Sequence, residues 1–337
     1  MTIPAPAAAR IRRLLCGLQD HILAHLLRAR TGGTRGFARV AAVTASDTIY
    51  HVDRITEAAI DAWLEQHWPR AWPIEIVMEG RDPGATFPPG LHPRRTLYKL
   101  ILDPIDGTRN LMYDKRSAWT LAGLAPQRGA ATHLGDIEVA AMTELPASKQ
   151  DRSDQFSAVR GGGRRGLVAE SVDLRPGGKR TRFRPRPSPA RHCRGGFASV
   201  VRFFPEAKAM LGIFEEELWR RLYGDCRPNT ALVFEDQYLS TGGQIYELLV
   251  GHDRFIADLR PLAYRRLGLT DSLTCHPYDI CTALLLQEAG GRVEDPTGRP
   301  LRVRLDAVSP VAWVGYANSA LARHLRPVLR RLVRETF

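Results

Sequence analysis

No stretch of this 337-residue chain reaches the roughly 18 to 20 consecutive apolar residues of a membrane span, because Arg, Asp or Gly interrupts every hydrophobic run. That excludes a helical membrane anchor and predicts a soluble chain with no membrane partner. Cysteine is scarce: Cys16, Cys193, Cys226, Cys275 and Cys281 are scattered, odd in number and without a CxxC pair. This excludes a disulfide framework and a zinc ribbon, and predicts reduced, structural thiols. No repeat period and no low-complexity tail are present. The Pro/Ala-rich start lacks the continuous apolar core and cleavage site of a secretory signal, and Asp20 with a core-like apolar stripe argues against a transit peptide. The expected compartment is the cytoplasm. Lysine is rare beside arginine throughout, so the formal charge of +12 reads as a compositional bias as readily as a binding face.

With 44% hydrophobic residues the chain can bury a sizeable core. Apolar positions Ile11, Leu14, Leu15, Leu18, Ile22, Leu26 and Leu27 recur at helical spacing and predict an opening helix over 10–30. A second helix is expected over 53–68, with Ile55, Ala58, Ala59, Ala62 and Trp63 inward. Strands are expected at 37–43, 74–78, 97–102, 118–124, 136–142 and 155–159, separated by Pro- and Gly-containing loops. These make an N-terminal α+β half, 1–165. Residues 166–195, dense in Arg and Pro, read as a basic irregular connection. The C-terminal half, 196–337, alternates strands at 197–204, 231–234, 255–258 and 311–316 with helices at 206–223, 244–250, 278–289 and 319–333, the mark of a layered α/β fold.

The chemistry is concentrated at 100–110, which reads LILDPIDGTRN. A hydrophobic strand delivers Asp103 and Asp106, Pro104 fixes the exit of the chain, and two carboxylates so close together repel unless a cation lies between them. Oxygen-only ligands favour magnesium or manganese over zinc. Gly107 allows close backbone approach, and the amides of Gly107 and Thr108 suit phosphate oxygens. Read without context, DxxDG is equally a strand followed by an Asp-rich turn.

This string resembles the first signature of the inositol monophosphatase family, a hydrophobic strand followed by DPIDGT and Asn. The resemblance extends to Glu79 after the strand at 74–78, although Gly80 stands where the family shows a second Glu. It extends also to Tyr278-Asp279 before a small-residue helix ending in Glu288-Ala289-Gly290-Gly291, with Tyr for the usual Trp and a spacing one residue short. Asp53 to Glu57 resembles an early Asp-x-x-x-Glu helix, and 311–318 a late strand.

The resemblance implies an αβαβα sandwich of the inositol monophosphatase/fructose-1,6-bisphosphatase type, lithium sensitivity and homodimers. It implies two or three magnesium ions per site, with manganese as the alternative, held by Glu79, Asp103, the carbonyl of Ile105, Asp106 and Asp279. It implies a catalytic water oriented by Thr108 and Asp53 with help from Glu79, and a small-molecule phosphate ester bound by Gly107, Thr108, Ser240, Thr241 and Gly242. The segment 239–244, LSTGGQ, departs from the family's Gly-Ser/Thr-Ala-Ala form. Two alternatives stand beside an inositol-phosphate-like substrate. One is a 3'-nucleotide or sugar bisphosphatase with 179–191 neutralising a second phosphate; the other is a nucleic-acid- or polymerase-binding protein that keeps the fold. Asp258-Leu259-Arg260 and the charged run 251–254 read either as substrate contacts or as strand-end salt bridges.

Overall fold

The computed structural model describes residues 2–31, 40–43, 48–225, 231–269 and 273–337, with the side chains at 31, 40–43 and 48–55 outside the description. Its elements in the first half are α1 (Ala5–Thr31), β1 (Val40–Val43), β2 (Thr48–Tyr50), α2 (His51–His67), β3 (Ile74–Met78), β4 (Thr86–Phe87), β5 (Tyr98–Asp106), α3 (Thr108–Met112), β6 (Ala118–Pro126), β7 (Val139–Leu145), β8 (Arg152–Val159), α4 (Gly163–Gly166), β9 (Val168–Asp173) and β10 (Arg180–Phe183). The second half follows with β11 (Phe197–Val200), α5 (Lys208–Tyr223), α6 (Thr241–Val250), β12 (Asp253–Asp258), α7 (Arg260–Leu267), α8 (Ala283–Glu288), β13 (Arg292–Glu294), β14 (Trp313–Tyr316) and α9 (Ser319–Thr336).

Five layers result. α1 and α2 cover one face of an eight-stranded sheet of order β10-β9-β8-β7-β6-β5-β3-β4. α6 and α8 fill the space between that sheet and a four-stranded sheet of order β11-β12-β14-β13, and α5 and α9 close the outer side. The buried residues of α1, Ile11, Leu15, Leu18 and Ile22, sit three or four apart and so form one stripe. Gln19 interrupts it without leaving a polar group unpaired: its amide donates to the carbonyls of Thr120 (3.1 Å) and Ala141 (2.8 Å) and accepts from Thr143 Oγ1 (2.9 Å). Gln19→Leu takes away the acceptor for the buried Thr143 hydroxyl proton, leaving that hydroxyl only the Gln155 amide as a donor partner (2.9 Å), and is expected to cost about 1–3 kcal/mol in urea unfolding; an unchanged midpoint would show that these bonds add nothing net.

Strand β5 is buried along its whole length because helices lie on both faces of the sheet at that point. It runs on through Asp106 rather than ending at 102. Residues three apart on a regular strand face opposite sides of a sheet, but the register of β5 against β6 shifts between Asp103 and Asp106. That irregularity turns both carboxylates toward one place.

Several expectations change. The segment 166–195 is irregular only from 184 onward: β9 and β10 extend the large sheet, so the first half continues to 183. β10 reads RTRF, and charged residues on an edge strand hide its β character while guarding it against pairing with other chains. In α2 the inward positions are Thr56, Ala59, Ile60, Trp63 and Leu64, while Ala58 and Ala62 face solvent; Ile55 and residues 37–39 lie outside the description. The expected strand at 231–234 is reduced to one bridge between Phe197 and Phe234. The helix expected at 278–289 begins only at Ala283, and Asp279 stands in the turns before it. Among the described residues no helix is long and apolar enough to cross a membrane.

Candidate active site

The end of β5, the start of α6 and the turn before α8 meet at one cleft. Its lining includes Glu57, Glu79, Asp103, Ile105, Asp106, Gly107, Thr108, Ser240, Thr241 and Asp279. Carboxylate oxygens of Asp103, Asp106 and Asp279 lie within 4.8 Å of one another, and the first two residues are buried. Each is held from behind. Asp103 Oδ1 accepts the Ile105 N–H (3.0 Å) and Asp279 Oδ2 accepts the His276 N–H (2.6 Å). Asp106 accepts the Ser240 hydroxyl (2.8 Å) and the N–H groups of Thr241 (3.3 Å) and Gly242.

Two glycines are required for this. Gly107 has φ +89°, and a Cβ there would lie 3.0 Å from the Leu239 carbonyl oxygen. A Cβ on Gly242 would lie 2.6 Å from Leu121 Cδ2 and 2.9 Å from Asp106 Oδ2, so only glycine brings the first turn of α6 against the carboxylate. Ser240 is the N-cap of α6 and also accepts the Gly243 N–H (2.9 Å). The positive end of that helix is therefore committed to Asp106.

Burial pushes the Asp106 carboxyl up to about 6, against the lowering effect of the Gly242, Ser240 and Thr241 donors and the Arg260 charge. Asp103 is raised further by burial and by the charges of Asp106, Asp279 and Glu79. Asp279 is raised by burial and by Asp106. A cation bound among three acids that disfavour their own ionisation would reverse the cost. An all-oxygen donor set of this kind fits magnesium or manganese. Burial, and after it these same carboxylates, raise the pKa of the Cys275 thiol, which lines the cleft, and of the Cys281 thiol, and so disfavour the thiolate at both.

Glu79, Asp103, Ile105, Asp106 and Asp279 are thus brought to one place, with Gly107, Thr108, Ser240 and Thr241 beside them. Gly242 is not: it does not line the cleft and its amide points at Asp106. The Asp53 side chain lies outside the description, while Glu57, one helical turn later, lines the cleft. The Thr108 hydroxyl donates to the Ile105 carbonyl (2.8 Å).

Asp258 and Arg260 form a buried bidentate pair (2.9 and 2.6 Å), as the salt-bridge reading expects. Residues 251–254 do not line the cleft; His252 Nδ1 lies 2.5 Å from Glu247 Oε2 and Arg254 donates to the carbonyl of Arg194 (2.8 Å). None of residues 179–191 lines it either, since β10 is five strands from β5, about 24 Å at ordinary strand spacing. Sequence reasoning did not find Phe203, Phe204, His276 or Tyr278 as lining residues. Only the aromatic residue next to Asp279 carries a sequence signal.

No protein-family model matches the chain, and no curated protein matches it by sequence. Solved structures do match over nearly the whole length. The extragenic suppressor protein SuhB of Bartonella henselae is 18% identical, with a TM-score of 0.63 over 97% of this chain and 100% of that one. The holo fructose-1,6-bisphosphatase of Leishmania major is 15% identical, with a TM-score of 0.61 over 96% and 92%. A hypothetical protein of Pyrococcus horikoshii with similarities to inositol-1 monophosphatase is 12% identical, with a TM-score of 0.59 over 98% and 99%. The chain shares the layered α/β fold of these solved structures.

Proposed function

We propose that this chain is a magnesium-dependent phosphatase that hydrolyses a small phosphate monoester by attack of water. The observation that carries the reading is the set of three converging, mutually repelling carboxylates at the cleft. Glu79, Asp103, the Ile105 carbonyl, Asp106 and Asp279 would hold the metal. Bound there, magnesium supplies charge neutralisation for the phosphate oxygens and lowers the pKa of an attacking water. The chain itself supplies position. The α6 N-terminus fixes the orientation of Asp106, and the Thr108 hydroxyl, whose proton goes to Ile105, keeps its lone pairs for the proton of a water. Asp53, on α2, would take over the Thr108 proton once the Ile105 carbonyl turns to the metal, and Gly107 admits the phosphate close to the backbone. Cytoplasmic location and homodimers belong to the same reading.

The test is phosphate release from inositol, sugar, histidinol and nucleotide phosphates, with magnesium and with a chelator. Release from at least one ester that disappears with the chelator is expected. Release that survives chelation would remove the metal from the mechanism, and none across the panel would remove the hydrolase. A bisphosphate is the less favoured substrate, because the basic segment 179–191 lies away from the cleft.

A further inference from the structure

The second half of the chain gives the cleft a partly aromatic wall. Phe203 and Phe204, in the loop after β11, are half-buried and meet edge to face, with ring centroids 4.8 Å apart and planes at 81°. Both line the cleft together with Leu239 and Leu273. The Arg260 guanidinium lies 4.5 Å from the Phe203 ring centre and 5.5 Å from that of Phe204. It does not stand ready for a second anion. Its Nε and one terminal nitrogen are bonded to Asp258 and the other terminal nitrogen donates to the Leu273 carbonyl (2.6 Å), so its charge is matched and its plane is fixed.

Several polar groups on this side are committed to partners within the protein. The Ser240 hydroxyl and the Thr241 N–H donate to Asp106, and the Tyr278 hydroxyl pairs with His276 Nδ1 (3.3 Å). Among the described residues Asp279 is the one carboxylate that the second half contributes to the lining. A ring bearing many hydroxyls would leave several of them without partners against such a wall. A flat aromatic group would find a ring face and an apolar shelf there.

We propose that Phe204 and Phe203, steadied by Arg260, are the specificity-determining residues of the cleft, and that the ester it takes is a phosphate monoester of an alcohol carrying an aromatic ring. The proposal rests on the phosphatase reading for its phosphate end and goes beyond it for the alcohol. Phe204 is the residue to change, since it lies outside the hydrophobic core against which Phe203 packs.

The experiment measures binding by calorimetry, in magnesium, of 3-phenylpropylphosphonate and methylphosphonate, neither of which has an ester bond to break. The aryl compound is expected to bind about tenfold or more tightly than the methyl compound, the scale of one ring stacked on an aromatic side chain. Phe204→Ala should bring that ratio close to one, and Phe204→Trp should restore it. An equal affinity for both compounds in the wild type, or a ratio unmoved by Phe204→Ala, overturns the proposal.

Turnover is followed in parallel with phenethyl phosphate, glycerol 2-phosphate and inositol 1-phosphate, all esters of alcohols, so that preference reports the ring and not leaving-group acidity. Preference for phenethyl phosphate supports the proposal, and preference for inositol 1-phosphate overturns it. An absence of turnover together with a retained binding ratio would sink the phosphatase reading while supporting the aromatic wall.

Discussion

Asp106→Asn lowers magnesium-dependent phosphate release by at least about a thousandfold, equivalent to about 4 kcal/mol of transition-state stabilisation. The substitution keeps the shape of the side chain and leaves an oxygen that can still accept from Ser240 or Gly242, so α6 stays docked. It removes one negative charge from a site whose other members, Asp103 and Asp279, already repel it. The metal-free variant should therefore melt at or above the wild-type temperature while being inactive. That combination distinguishes a lost ligand from a lost fold. Initial rates on the best ester of the panel, with melting curves on the same samples, decide it; retention of more than about a tenth of the activity would take Asp106 out of the metal site.

Metal-free protein loses stability as pH rises from about 4 through 6, and magnesium restores it. The sign follows from the direction of the shifts. Asp106 titrates at about 6 in the folded chain against 3.8 ordinarily, so the folded state binds the proton more tightly and its advantage is complete below the lower value and gone above the higher. Asp103 and Asp279 shift the same way.

A cation reverses the preference, because it binds only the ionised acids, and its affinity climbs as pH rises through the same range. Magnesium should thus raise the melting temperature by several degrees at pH 8 and by much less at pH 5. Glu215 and Asp253, both pushed up to about 7 chiefly by burial, also titrate in this direction, and neither lines the cleft. The measurement is therefore the difference between wild type and Asp106→Asn, each with chelator and with magnesium. A magnesium effect equal at the two pH values would contradict the proposed ligand set.

Much of this site is written locally. The apolar run at 100–102 forces a buried strand, and Pro104, Gly107 and the two acids follow within seven residues of it, so strand, turn and charge can be read from one short window. The opening helix is equally plain, since its stripe at Ile11, Leu15, Leu18 and Ile22 keeps one period for three turns. The misread parts are those with a weak or misleading local signal. β10 is built from RTRF, and its strand character comes from pairing with β9 rather than from its own side chains. In α2 the choice between Ala58 or Ala62 and Ile60 or Leu64 as inward residues depended on which face α1 and the sheet would cover.

The sequence by itself determined the layered α/β class, the acidic strand end and the chemistry that two adjacent carboxylates require, because each depends on neighbours a few residues apart. Tertiary structure alone decided that Gly242 turns its amide to Asp106 instead of to the cleft, and that Phe203 and Phe204 share a cleft with Asp103. These contacts join loops far apart in the chain. What brings them together is the packing of two sheets across α6 and α8, and the free energy of that packing belongs to whole faces that no single window of residues contains.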